Sequence, residues 1–234
     1  MGFVAGRKSR LLLGDFALAS YATKADVGWS LDMLDSTVFT STSGAKEFLP
    51  GLDGSNGKVS GYYDAAEHAD LAAFKSTVAQ PYTFAPSGLA LGAELMMIGA
   101  LESQFSLGAQ IAGLGTFDLT METDGYTDFG YSLHDLTAVS ADESGTSLDG
   151  AAATTLGGVA HLHVTSYSGL ASAVIIVEDS ANSSSWSTIG TFATVTGVTG
   201  ERLALAGTIR RYTRYSIDVT GTGSITFQVG IARR

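Results

Sequence analysis

The chain has 234 residues, with 29 Gly, 3 Pro, no Cys, 15% charged residues and a net charge of −10 at pH 7. Soluble domains carry about a quarter charged residues, so a surface charged this sparsely suits contact with further copies of itself. The lack of cysteine excludes disulfides, thiolate metal sites and a cysteine nucleophile. No Lys or Arg stands between Lys75 and Arg202 while acids recur throughout, which disfavours phosphate-neutralising binding of DNA.

Residues 1–10 form a basic arm leading into a strand over 11–18. Asp15 interrupts an apolar stretch already short for a secretory leader, and Gly6 stands where a myristoylation signal requires Ser or Thr. The longest apolar run, 89–101, contains Glu94 and is too short for a spanning helix, so no membrane segment is expected. Residues 28–34 alternate, with Trp29, Leu31 and Met33 opposite Ser30 and Asp32. Asp53-Gly54 and Asn56-Gly57 favour the positive φ of a tight turn over 52–57, leading into a strand over 58–63. The loop 39–52 and the arm before Leu11 are expected to be mobile in the free subunit.

One helix is expected, over 64–75, with Asp64 as N-cap, Glu67 three residues on, and Leu71 and Phe74 docking on a sheet. Alternating strands follow at 102–107, 116–122 and 128–134, with Phe105 and Leu107, then Phe117, Leu119 and Met121, then Phe129, Tyr131 and Leu133 on the apolar faces. The opposite faces are polar and acidic, which describes half-buried antiparallel strands. Residues 137–158 (TAVSADESGTSLDGAAATTLGG) have no period, and a domain boundary is expected there, dividing the chain into 1–150 and 151–234. Six strands are expected beyond it: 159–166, 172–178, 188–193, 201–206, 212–219 and 224–232.

Chemistry-bearing patterns are few. There is no Gly-x-Ser-x-Gly elbow, so no catalytic residue and no enzymatic activity are expected. His161 and His163, two apart on one strand face, have a spacing that zinc can use, but no third ligand is identifiable and two half-exposed strand histidines are the plainer reading. Asp53, Asn56, Asp124 and Asp128 lack the spacing of a calcium loop. No metal and no cofactor are therefore expected. Arg210, Arg211 and Arg214 form the one dense basic group, expected to pair with Asp218 and Glu201. Trp186, among Ser and Asn, either caps a core or offers a stacking surface for a glycan.

The order of these elements resembles the major tail protein of long-tailed bacteriophages. The resemblance runs over about residues 3–135, from ATKADVGWSLDMLDSTVF into KEFLPGL and GKVSGYYD. The part from VIIVEDSANSSSWSTIGTFATV to the end resembles an accessory sandwich appended to such proteins, of jelly-roll or immunoglobulin type. It implies a mainly β fold: a tail-tube β-sandwich with one short packed helix, followed by a C-terminal β-sandwich. It further implies a virion protein forming rings, usually hexameric, that stack into the tail tube through which DNA leaves. Tail terminator, tape measure and distal tail proteins would be its partners, DNA would pass without binding, and the subunit would occupy the host cytoplasm during assembly. On this reading Asp118 and Glu122 line the lumen and repel phosphate. A virion decoration or carbohydrate-binding surface module is the alternative.

Overall fold

The computed structural model describes residues 6–18, 22–37, 45–64, 78–109, 111 and 113–234. The fold is mainly β. After a 3-10 turn, Gly6–Lys8, come β1 (Arg10–Leu13), β2 (Phe16–Ala17), β3 (Ala22–Asp35), β4 (Phe48–Tyr62), β5 (Gln80–Ala85), β6 (Glu94–Gly108), β7 (Thr116–Thr123) and β8 (Asp128–Val139). Two short strands, β9 (Glu143–Ser144) and β10 (Leu148–Asp149), precede β11 (Gly158–Ser180), β12 (Ser187–Thr191), β13 (Thr199–Leu205) and β14 (Tyr212–Arg233). All the strands belong to one antiparallel network, ordered β12-β11-β14-β8-β6-β5-β1-β2, with β7, β4 and β3 branching successively from β6.

Three apolar clusters follow from this pairing. The first packs Leu11, Leu13, Leu18, Tyr82 and Ile98 under Val59, Phe117, Leu119 and Met121, the inner face of β4 and β7. The second joins Leu162, Val164, Ile175 and Val177 of β11 to Ile217, Ile225, Phe227, Val229 and Ile231 of β14, and takes in Leu133 and Val139 of β8. A third, with Leu12, Ala85, Leu95 and Met97 against Val159 and Ala232, lies where the early and late strands meet. β8 is the shared strand, bonded to β6 through residues 128–131 and to β14 through residues 131–139.

Alternation placed Phe117, Leu119 and Met121 correctly, and likewise Ile225, Phe227, Val229 and Ile231; all seven are buried. Elsewhere the structure corrects the sequence reading. The expected strand 11–18 is a hairpin turning at Gly14 and Asp15, where Gly14 takes φ +56°. The expected turn at 52–57 is part of β4, which also absorbs residues 48–52 of the expected loop. Gly57 is there for close approach: a Cβ on it would meet Met121 Cε at 3.1 Å. The four expected strands 159–166, 172–178, 212–219 and 224–232 are only two, because β11 and β14 continue through bulges near Gly169 (φ +76°) and Gly221 (φ +98°). A glycine at positive φ there bends the strand without reversing it. The expected helix over 64–75 lies, past Asp64, outside the described residues, as do 1–5 of the arm and 39–44 of the loop.

The largest correction is in the first part of β8, residues 128–132, whose faces are inverted relative to the expected pattern, while Leu133 is buried as expected. Asp128, Gly130 and Ser132 point inward, and Phe129 and Tyr131 are exposed. Polar side chains can take the inner positions because each is bonded: Asp128 to two arginines, and the Ser132 hydroxyl to the Leu89 carbonyl at 2.7 Å. Gly130 lies so close to β14 that a Cβ would fall 2.2 Å from the Ile231 carbonyl oxygen.

That approach is testable. Gly130→Ala forces backbone to move and should cost about 1–3 kcal/mol in urea unfolding, the range for overpacking. Gly54→Ala, whose Cβ would meet only Ser30 Oγ at 4.0 Å, should change stability by less than about 0.5 kcal/mol.

Candidate functional site

The four-stranded sector β3-β4-β7-β6 has one apolar face on the first cluster and one open polar face. Its period of two fixes which residues share the open face. One row runs Asp26, Lys58, Thr120, Gln104 across the strands, and the next runs Lys24, Ser60, Asp118, Ser106. Ser60 donates to Asp118 Oδ1 at 2.6 Å, and Lys24 pairs with Asp26 at 2.5 Å. Asp118 and Glu122 both lie exposed on this face. The face is mixed rather than purely acidic, because β3 and β4 bring Lys24 and Lys58 beside the acids of β7. Reading only 75–202 missed these lysines; the alternation of residues 22–27 with 57–61 carries the signal.

Beyond Asn56, β4 loses β7 and pairs with β3 alone, so the two strands continue outward as a hairpin arm. Trp29, Met33, Leu34, Phe48, Leu49 and Leu52 are exposed on it, Leu52 to 79%. The apolar side of the strand expected over 28–34 is thus not a core face. Among the described residues β4 is the one strand partner of β3, whose outer edge is open.

A second polar feature lies inside. His161 and His163 are fully buried, in contrast to the half-exposed histidines expected, and each reaches the hydroxyl of Thr83, at 3.1 Å from His161 Nδ1 and 2.8 Å from His163 Nε2. His163 Nδ1 lies 2.7 Å from the Gly14 carbonyl. Because a carbonyl only accepts, Nδ1 of His163 carries the proton and its Nε2 accepts from Thr83, whose oxygen then accepts from His161 Nδ1–H. In this arrangement both rings are neutral. His161 Nε2 is buried with no partner among the described residues, so a proton there would have no acceptor. Burial, His163 and the Arg202 charge push the pKa of His161 well down, and burial brings His163 to about 4. No group of three or more metal-ligating side chains occurs among the described residues.

The arginines do not take their expected partners. Arg210 bonds Asp179 (Nε at 2.7 Å), Arg211 bonds Asp149 (2.6 and 2.7 Å) and Arg214 bonds Glu178 (2.8 Å), in place of Asp218 and Glu201. Strand register decides this, since Glu178 and Arg214 face each other across β11 and β14. Trp186 is half-buried with the Arg214 guanidinium 4.2 Å over its ring, so one of its two faces is occupied. Asp128, one of the acids whose spacing does not fit a calcium loop, is held by Arg202 and Arg234 at 2.8 Å each.

No family model matches the sequence, and no curated protein sequence matches it. Among solved structures, the chain is similar to one in the virion of a native gene transfer agent particle, with 16% identity and TM-score 0.46 over 54% of this chain and 98% of that one. It is similar to the SPP1 Dit protein, described as a hub of the adsorption apparatus of phages infecting Gram-positive hosts, with 12% identity and TM-score 0.39 over 97% and 99%. It is also similar to the SPP1 tail tube protein, with 11% identity and TM-score 0.39 over 53% and 77%.

The buried histidines predict an acid dependence of stability. Their folded pKa values lie below the ordinary 6.5, so as pH falls through 6.5 the unfolded chain takes up protons that the folded chain does not. Stability is full above about pH 7 and falls towards pH 4; His163 alone should remove about 2 kcal/mol between pH 7 and 5. His163→Gln should reduce the fall in urea-unfolding free energy over that interval by about 2 kcal/mol and leave the part due to His161, whatever its effect at pH 7.

Proposed function

We propose that the chain is a structural subunit of a bacteriophage-type tail that assembles with copies of itself into rings stacked as a tube. The observation that carries this reading is the β3-β4-β7-β6 sector, amphipathic across its faces and open along β3. Such an edge is a template for another strand, and closing copies into a ring pairs every edge at once while leaving none to recruit indiscriminately. The polar face, with Asp118 and Glu122, would then line the lumen. Lys24 and Lys58 lie among carboxylates there, and DNA meets a face without a run of cations, so it passes without being held. The sequence resemblance to major tail proteins supports the same reading, including hexameric rings and the partners that such a tube requires.

The apolar hairpin arm would reach the next ring of the stack. Exposed apolar side chains on a projecting arm stabilise nothing within the subunit, and contact with another copy gives them somewhere to be buried. The division into 1–150 and 151–234 is part of the proposal, with the later unit projecting outside the tube. The first cluster lies wholly within residues 11–121, which supports an early unit, while the second borrows Leu133 and Val139 from it.

Electron microscopy of the purified full chain is the direct test: rings or tubes are expected, and a chain that stays monomeric at every concentration refutes the reading. Leu34→Asp with Leu49→Asp should leave the unfolding midpoint within experimental scatter yet give single rings in place of tubes. Asp118→Lys with Glu122→Lys should preserve assembly and slow DNA passage, since the lumen gains phosphate-binding sites. If the double lysine variant ejects DNA at the normal rate, those carboxylates do not face the channel.

A further inference from the structure

The positive charge of this chain is unevenly spent. Arg202 and Arg234 bond Asp128, Arg210 bonds Asp179, Arg211 bonds Asp149, Arg214 bonds Glu178, and Arg233 donates to the carbonyls of Gly150 and Ala152. Lys24 and Lys46 pair with Asp26 and Asp35. Arg7, Lys8 and Arg10, like Lys58 on the polar face, differ: among the described residues none has a carboxylate bridge. Arg10 is instead oriented by the carbonyls of Arg7, Lys8 and Ser9, at 3.0–3.4 Å from one terminal nitrogen, which fixes its guanidinium without neutralising it.

Arg7 and Arg10 stand on one wall of a cleft of about 370 Å³ that Leu11, Lys24 and Phe84 also line. Its other wall is the stretch Ala22 to Ala25, the first residues of β3, the strand whose outer edge is open. The cleft therefore offers unneutralised guanidinium groups beside a strand edge with backbone donors and acceptors to spare. An extended backbone bearing carboxylates satisfies both demands, by strand addition and by charge-assisted bonds to arginine.

We propose that this cleft receives an acidic extended segment of a second copy of the chain. The proposal rests on the tube reading above and adds to it the place and chemistry of one contact between copies. Complementary charge points to the chain itself: it is net −10, and between Lys75 and Arg202 it carries carboxylates and no cation. Asp142 and Glu143 in that interval, at the edge strand β9, are exposed with no arginine or lysine bridge among the described residues, and can serve as the donated charge. Nucleic acid fits less well. Three cations at one cleft beside Asp26 neutralise few phosphates, and the net negative charge of the chain opposes approach of a duplex.

The experiment is sedimentation velocity with electron microscopy on the full chain, over a concentration series at about 0.1 M and about 1 M salt, where charge contacts at the surface are screened to different depths. Arg7→Glu, alone and with Arg10→Glu, should raise the concentration needed for assembly by about tenfold or more at the lower salt. Arg7→Lys should assemble nearly as the parent does, and high salt should shrink the difference between parent and variant. Arg7 makes no side-chain bond within the described structure, so the single variant cannot act by unfolding the subunit, and thermal melting checks this. Unchanged assembly of both glutamate variants overturns the inference and leaves the tube reading standing. A parent chain that never assembles overturns both. Anisotropy with a short labelled duplex supplies the remaining arm: binding by the parent that the glutamate variants lose, with assembly unaltered, assigns the cleft to nucleic acid and overturns the inference.

Discussion

The pairing of β11 with β14 is the constraint on which the rest of the molecule depends. The two strands run antiparallel from Gly158 opposite Arg233 to Ser180 opposite Tyr212, through several bulges. Every late element hangs on this ladder: β12 and β13 on the outer edge of β11, and β8, β9 and β10 on the outer edge of β14. At its Gly158 end the ladder is buried on both faces. Ala160, Leu162 and Val164 enter the late core, while Val159, His161 and His163 face the early strands. A period-two strand can do this only where structure covers it on both sides, so the two histidines and Thr83 sit where the halves of the chain meet. With both rings neutral the Thr83 hydroxyl bonds both histidines and His163 bonds the Gly14 carbonyl, so this polar chain ties the halves together as well as contributing to stability.

Much of this was legible in the sequence, for a definable reason. Where one face of a strand meets a core and the other meets water, alternation reports burial directly, as at Phe117, Leu119 and Met121 or along residues 225–231. It failed where a strand's surroundings break that symmetry. In β8 the apolar residues Phe129 and Tyr131 are outside because the inner positions hold an ion-paired carboxylate and a glycine pressed against β14, and neither fact is local. In β3 the apolar row Trp29, Leu31, Met33 alternates properly but projects past the body, where no core exists. The glycines misled for a related reason. Gly57 and Gly54 signal a turn by type but serve in β4 as strand residues, while Gly169 and Gly221 signal a strand end and instead mark bulges. Composition reports what a glycine permits, and the partner strand decides which permission is used.

Candidate functional residues were legible to the same extent. Asp118 and Glu122 are on an open polar face as their alternation implied, but the face belongs to four strands, and its two lysines come from segments distant in sequence. Arg210, Arg211 and Arg214 were correctly read as salt-bridged, with the wrong acids. Pairing partners in a sheet are set by register, which depends on bulges that no short motif reveals. Exposed pairs such as Arg211 with Asp149 contribute little to stability, whereas Asp128, almost fully enclosed by Arg202 and Arg234, would be costly to leave unpaired. It fixes the start of β8, the strand bonded to both β6 and β14.

Among the described residues the outer edge of β3 is open, and its protections bear on function. Soluble proteins blunt long edges with charge, proline or bulges, and this strand has two of the three: Lys24, Asp26, Asp32 and Asp35 along it, and bulges between Ala22 and Lys24 and between Leu31 and Met33. These devices discourage a flat, indiscriminate pairing, yet the arm they protect also displays six large apolar side chains on a two-stranded ribbon that has no core of its own. A ribbon of that kind is marginal in water without a further surface to cover it. Retaining both the charges and the apolar side chains makes physical sense if pairing is wanted in one register and with one partner. Charges then select the register, and apolar burial supplies the free energy once it is found. Under the proposed assembly, such a division of labour accounts for sparse charge and exposed apolar surface in the same chain.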